Sequence, residues 1–101
     1  MDPLKPMHNP PHPGEFISEV YLAPLALSGR ELAKRLDVSP STLSRVLSGS
    51  GRVTPDMALR LSKVLGRSAE SWLAMQDAYD LSAARQDLDL SRVHPLEPAS
   101  T

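Results

Sequence analysis

The stretch SPSTLSRVLSGSGR, residues 39–52, decides how the chain is read. Leu43, Val46 and Leu47 keep helical spacing, yet the positions between them hold small hydroxyls and a single arginine, Arg45. A surface helix ordinarily carries longer charged side chains on the face it does not bury. With Ser41, Thr42 and Ser44 there instead, this helix presents a face that another surface can approach closely.

The flanking residues supply the ends of the helix and of its neighbours. Ser39 followed by Pro40 pairs an N-cap hydroxyl with a proline at the first helical position, and Gly49 is the matching stop. Upstream, Ser28 and Glu31 form a capping box that opens a helix with Leu32, Ala33 and Leu36 on its inner face. Downstream, Thr54 and Pro55 open another, which Gly66 stops. Pro13 suits the first turn of an earlier helix, whose stripe of Phe16, Ile17, Val20 and Tyr21 is expected to be buried and to end at Pro24. A last helix opens at Ser68, carries Trp72, Leu73, Met75 and Tyr79, and is expected to run to about residue 84. The alternation of Leu88, Leu90 and Val93 beyond it is a weak signal for a strand or a disordered tail. These elements predict an all-α fold, a compact five-helix bundle. They divide into a flexible Pro-rich arm over 1–12, a helical domain over 13–84, and a C-terminal tail over 85–101, extended or disordered.

The net charge of -1 conceals a division along the chain. Arg30, Lys34, Arg35, Arg45, Arg52, Arg60, Lys63 and Arg67 face only Glu31, Asp37 and Asp56, so the centre is basic. From Ser68 onward the balance reverses, with Glu70, Asp77, Asp80, Asp87, Asp89 and Glu97 against Arg85 and Arg92. A basic centre and an acidic end predict two surfaces with different partners. The absence of cysteine excludes a disulfide framework and a thiol nucleophile. No apolar run is long enough for a membrane span and no signal peptide is visible, so a soluble, cytoplasmic chain is expected. His8, His12 and His94 lie in Pro-rich segments, and the intervening prolines prevent His8 and His12 from aligning on a helix. No metal site, cofactor or catalysis is expected.

GRELAKRL, residues 29–36, joined through Asp37 and Val38 to PSTLSRVLS, residues 40–48, has the spacing of a helix-turn-helix over about 29–48. Ala33 is the small residue at the helix crossing, and Leu32, Leu36, Val38, Leu43 and Val46 fill the facing positions. Asp37 stands where glycine is usual, and Asp tolerates left-handed backbone better than most residues. In this motif the second helix enters the DNA major groove by its N-terminal end. Ser39, Ser41, Thr42 and Ser44 then line the approach, and Arg45 is the best candidate for a bidentate contact to guanine, worth roughly 1–3 kcal/mol of discrimination. Arg52, Lys34 and Arg30 are assigned to phosphates. Taken singly, each hydroxyl could be only a cap and each arginine only a solvated charge.

The segments HPGEFISEVYLAPLALSGRELAKRLDVS (12–39), TPDMALRLSKVLGRSAESWLAMQDAYDL (54–81) and HPLEP (94–98) resemble the HigA-type antitoxins, within the Xre/Cro-like repressors of lambda repressor-like fold. The resemblance covers about residues 8–97. Its more specific parts are HPGE and the pattern W-L-x-x-Q-x-x-Y-D-L. It implies a homodimer that binds a palindromic operator in its own promoter and neutralises a RelE/HigB-like mRNA-cleaving ribonuclease toxin. A dimer would place two recognition helices about 34–36 Å apart. Leu73, Met75 and Tyr79, on the helix over about 69–84, are assigned to the dimer interface, with Trp72 divided between that interface and the protomer core. Asp77, Asp80, Asp87 and Asp89, or the Pro-rich arm, are the expected contacts for a basic toxin. Two alternatives remain at this point: a stand-alone phage-type or restriction-control repressor without a toxin, and an interaction module with a degenerate helix-turn-helix.

Overall fold

Every cap read in the sequence begins a helix. The computed structural model describes residues 9–97, so His8 and most of the Pro-rich arm lie outside the described residues. Helix α1 comprises Pro13–Ile17, a wider π-helical turn over Ser18–Leu22, and Ala23–Leu25. Four further helices follow: α2 (Gly29–Leu36), α3 (Pro40–Ser48), α4 (Pro55–Leu65) and α5 (Ala69–Asp87). The hydroxyls of Ser28, Ser39, Thr54 and Ser68 accept the amides of Glu31, Thr42, Met57 and Ser71 at 3.0–3.2 Å. The capping box at Ser28 is only half made, because the Glu31 carboxylate accepts from Arg35 Nε at 3.0 Å on the next turn.

Two helix ends depart from expectation. Proline inside a helix lacks a donor and clashes with the carbonyl four residues earlier. The turn ahead of Pro24 widens, with the Ala23 amide donating to Ser18, so α1 passes Pro24 and ends at Leu25. Ala26 then takes left-handed angles (φ 50°, ψ 39°), which cost a non-glycine residue about 1 kcal/mol. The Leu27 amide donates to the Leu22 carbonyl at 2.9 Å and closes the end as a Schellman turn. Val20 is 45% exposed, so the expected stripe on α1 narrows to Ile17 with Phe16 and Tyr21 half-buried beside it. At the other end, α5 continues to Asp87, and residues 88–97 form no strand. Leu88, Leu90, Val93 and Leu96 of that segment are exposed.

The core collects Ile17 of α1, Leu32, Ala33 and Leu36 of α2, Leu43 and Val46 of α3, Met57, Ala58 and Leu61 of α4, and Trp72 of α5. Ala33 is fully buried between α2 and its neighbours, as the crossing requires, and Val38 packs against the same cluster. Asp37 adopts φ 58° and ψ 47°, the left-handed turn expected of it. A residue of α4 supports this turn: one Arg60 terminal nitrogen donates to the carbonyls of Leu36 and Asp37 at 2.9 and 3.0 Å, while Nε pairs with Asp56. A cation on the last carbonyls of α2 also complements the helix dipole. The angle between α2 and α3 is therefore held by the core beneath it and by Arg60 at its open end.

Candidate nucleic-acid interface

The outward face of α3 is polar, short and accessible. Ser39, Ser41, Ser44 and Arg45 are exposed and Thr42 is half-buried, while Leu43 and Val46 point into the core. Ser39 has two structural tasks, since its hydroxyl caps the Thr42 amide and also donates to Thr42 Oγ1 at 2.8 Å. Pro40 has no amide hydrogen. The Ser41 amide makes no hydrogen bond among the described residues, so the first turn of α3 offers a free donor to an anion. Among the described residues nothing pairs with the Arg45 guanidinium. Its backbone, by contrast, is fully engaged: the Arg45 carbonyl accepts from Gly51 N at 2.8 Å, Ser48 Oγ at 3.2 Å and Ser50 Oγ at 3.4 Å. The base of Arg45 is thus fixed and its head is free.

The remaining cations are distributed unevenly. Arg30, in the first turn of α2, shares a shallow groove with Pro40, Leu43 and Ser44, which sets it beside the start of α3. Lys34 is exposed on the outer side of α2. Arg52 is exposed but not free, because a terminal nitrogen donates to Asp80 Oδ2 of α5 at 2.6 Å. That pairing offsets the charge of Asp80, whereas Asp89, which accepts the Ser91 amide at 2.9 Å, stays exposed and keeps its charge. The Arg52 guanidinium holds the Asp80 carboxyl below its ordinary value against the opposing effect of burial, with the Gln76 amide a lesser aid.

The loop that carries Arg52 is fastened from beneath by residues that sequence reasoning did not assign. Gln76 is 2% exposed; its Oε1 accepts the Val53 amide at 2.7 Å and its Nε2 donates to Asp80 Oδ1 at 3.0 Å. His12 is not part of a free arm. Its Nδ1 accepts the Gly14 amide at 2.9 Å and caps α1, so Nε2 carries the hydrogen and donates to the Gly51 carbonyl at 3.0 Å. Tyr79 meets the His12 ring edge-on with centroids 4.9 Å apart. Gly14 lets α1 lie directly on the end of α3: a Cβ there would stand 2.0 Å from the Val46 carbonyl oxygen and 2.7 Å from Leu47 Cα. HPGE and Q-x-x-Y-D are therefore two halves of one latch around loop 49–53.

Of the residues assigned to a dimer interface, Trp72 is the correction. It is completely buried in its own core, with Phe16 and Tyr21 packed on it and the Arg67 guanidinium 5.9 Å from its ring. Leu73 and Met75 are half-buried against the same core, and Tyr79 is 37% exposed. No group of three potential metal-ligating side chains occurs among the described residues, and none of their helices is long and apolar enough to cross a membrane.

Comparison with known proteins places this geometry in a family. The helix-turn-helix family model (HTH_3) matches residues 21–72. The chain is 43% identical over 90 residues to the uncharacterized HTH-type transcriptional regulator YddM of Escherichia coli, covering 89% of this chain and 95% of that protein. It is 32% identical over 77 residues to the antitoxin HigA-1 of Vibrio cholerae, covering 76% and 72%. Among solved structures, the Pseudomonas aeruginosa antitoxin HigA with the higBA promoter superposes with a TM-score of 0.80 at 31% identity, over 90% of this chain and 99% of that one. The region matched by the family model contains α2, α3 and α4, whereas His12, Gln76, Tyr79 and Asp80 lie outside it.

Proposed function

The chain belongs to the helix-turn-helix family (HTH_3), among its HigA-type antitoxins and Xre-like regulators, which are not enzymes, and from that premise we propose that it binds operator DNA upstream of its own gene. The observation that carries this reading is the face of α3: exposed Ser41, Ser44 and Arg45, with a free Ser41 amide at the helix start and an unpaired guanidinium one turn on. Short hydroxyls let the helix reach the floor of the major groove, and Arg45 reads a guanine edge. Arg30 and Lys34 flank that face and neutralise phosphates, as does Arg52 from the loop.

The functional form is a homodimer, because one recognition helix reads too short a site for useful specificity, and a two-fold pair reads a palindrome. Leu73, Met75 and Tyr79 of α5 line the pairing face in this reading. The same protein neutralises a RelE/HigB-like ribonuclease, a basic partner that the exposed carboxylates Asp77 and Asp87 would attract. The antitoxin names of the HigA-type relatives and the acidic C-terminal half support the toxin reading.

A fluorescence-anisotropy titration tests the DNA reading. The duplex immediately upstream of the gene and a scrambled duplex are compared at two salt concentrations, with preference for the first and loss of affinity as salt rises as the expected result. Equal affinity for both duplexes overturns autoregulation. Co-purification with the product of an adjacent small reading frame separates an antitoxin from a stand-alone repressor.

A further inference from the structure

Loop 49–53 follows the recognition helix directly, and its last two residues, Arg52 and Val53, are tied to α5. Gln76 binds the loop backbone at Val53 and binds Asp80 one turn further along the helix. Asp80 in turn binds the Arg52 side chain. Backbone and guanidinium are thus both referenced to one face of α5, and the buried member, Gln76, makes two side-chain hydrogen bonds, one to the loop and one to Asp80. From this arrangement, and resting on the DNA-binding reading above, we propose that Asp80 is a positioning residue for DNA binding: it holds Arg52 in place for an operator phosphate and does not itself touch the nucleic acid.

Two physical effects oppose one another here. A carboxylate close to a DNA-binding arginine repels phosphate and offsets the cation, so Asp80 considered only as a charge weakens binding. Considered as a tether, it removes rotamer freedom that a long arginine would otherwise lose on binding. The contact uses one N–H of the guanidinium and leaves the others to a phosphate. Gln76 fixes the carboxylate from behind, so Asp80 arrives at Arg52 already oriented. The tether outweighs the charge in this arrangement, and the two effects predict opposite signs for the same substitution.

The test is operator titration of Asp80→Ala, Asp80→Asn, Arg52→Ala and the Asp80→Ala/Arg52→Ala double variant, each across a salt series. Asp80→Ala is expected to weaken operator binding by about three- to fivefold, the range of an exposed ion pair. Its salt dependence should fall to that of Arg52→Ala, and it should cause no further loss when Arg52 is already alanine. Asp80→Asn keeps one acceptor oxygen where Arg52 and Gln76 each use a separate one, so its loss should fall between the parent and Asp80→Ala. Tighter or unchanged binding by Asp80→Ala overturns the proposal, as does an equal loss in the Arg52→Ala background. Should Asp80→Ala fail to fold by circular dichroism, Asp80→Ser carries the same expectation, since it is too short to reach Arg52. A parent protein with no operator preference removes the DNA reading itself, whereas a parent that binds and variants that do not respond remove only this inference.

Discussion

The recognition helix α3 and the latch formed by the head of α1 and the middle of α5 are both rich in polar side chains, and they use them in opposite ways. On α3, Ser41, Ser44 and Arg45 are exposed, and the Arg45 head has no protein partner among the described residues. In the latch, His12 and Gln76 are buried and each makes two hydrogen bonds. A buried polar group must be paired within the protein, because an orphaned donor or acceptor costs its full desolvation. An exposed one has no such obligation and is available to a ligand. Polar residues that look alike in the sequence therefore divide into architecture and interface by burial alone.

Substitutions in the latch should reduce stability, while substitutions on the α3 face should change DNA binding with little effect on folding. Gly14→Ala is the severest test, because its Cβ would overlap the Val46 carbonyl, a main-chain atom of α3 that cannot rotate away. It should cost about 3 kcal/mol and lower the melting temperature by about 15 °C. A melting temperature within a few degrees of the parent would mean that α1 does not rest on α3 as closely as described. Gln76→Leu should cost about 2 kcal/mol in denaturant unfolding, since it leaves the Val53 amide buried without an acceptor. A neutral result would indicate that water reaches that amide and that the latch is not sealed.

Most of the fold was legible because the relevant signals are local. Ser28, Ser39, Thr54 and Ser68 cap helices through hydrogen bonds three residues long, and Leu32, Leu36, Leu43 and Val46 fall on one face by period alone. Asp37 could be placed in a left-handed turn from the chemistry of Asp. The latch was not legible, because its bonds join residues far apart in the chain: His12 with Gly51, Gln76 with Val53, Asp80 with Arg52. One signal did exist. Gln76 interrupts the apolar positions of α5 one turn after Trp72, and a polar residue on an inward face needs a partner somewhere. The support of the α2–α3 turn by Arg60 was equally hidden, since an arginine on a short helix reads as a solvated charge until its neighbours are known.

The α3 side of the comparison is sharpened by Arg45→Ala. Its guanidinium has no hydrogen-bond or ion-pair partner among the described residues, so thermal stability should shift by no more than about 0.5 kcal/mol. Operator affinity should fall by about 1.5 kcal/mol, roughly tenfold, with a much smaller change on scrambled DNA. Arg52→Ala should instead weaken both duplexes alike, as expected for a phosphate contact. If Arg45→Ala weakens both duplexes equally, Arg45 is a phosphate contact as well, and base reading moves to Ser41 and Ser44.

The smallest effect lies where the two regions meet, at the Arg52 and Asp80 pair. Hydrogen bonding from Arg52 lowers the Asp80 carboxyl below its ordinary value, so folding favours the ionised form. A depressed carboxyl contributes stability above the unfolded value, about 3.9 for Asp, and loses it as the pH falls through the lower folded value. Parent and Asp80→Asn should therefore differ by a constant amount between about pH 7 and 5 and converge below about pH 4. Both side chains are substantially exposed, which keeps the difference under about 1 kcal/mol, a few degrees in melting temperature. Convergence already complete above about pH 5 would assign the stabilisation to some other titrating group. The ion pair is thus a minor contributor to folding, and removing it is expected to have an effect of similar size on the placement of Arg52 on DNA.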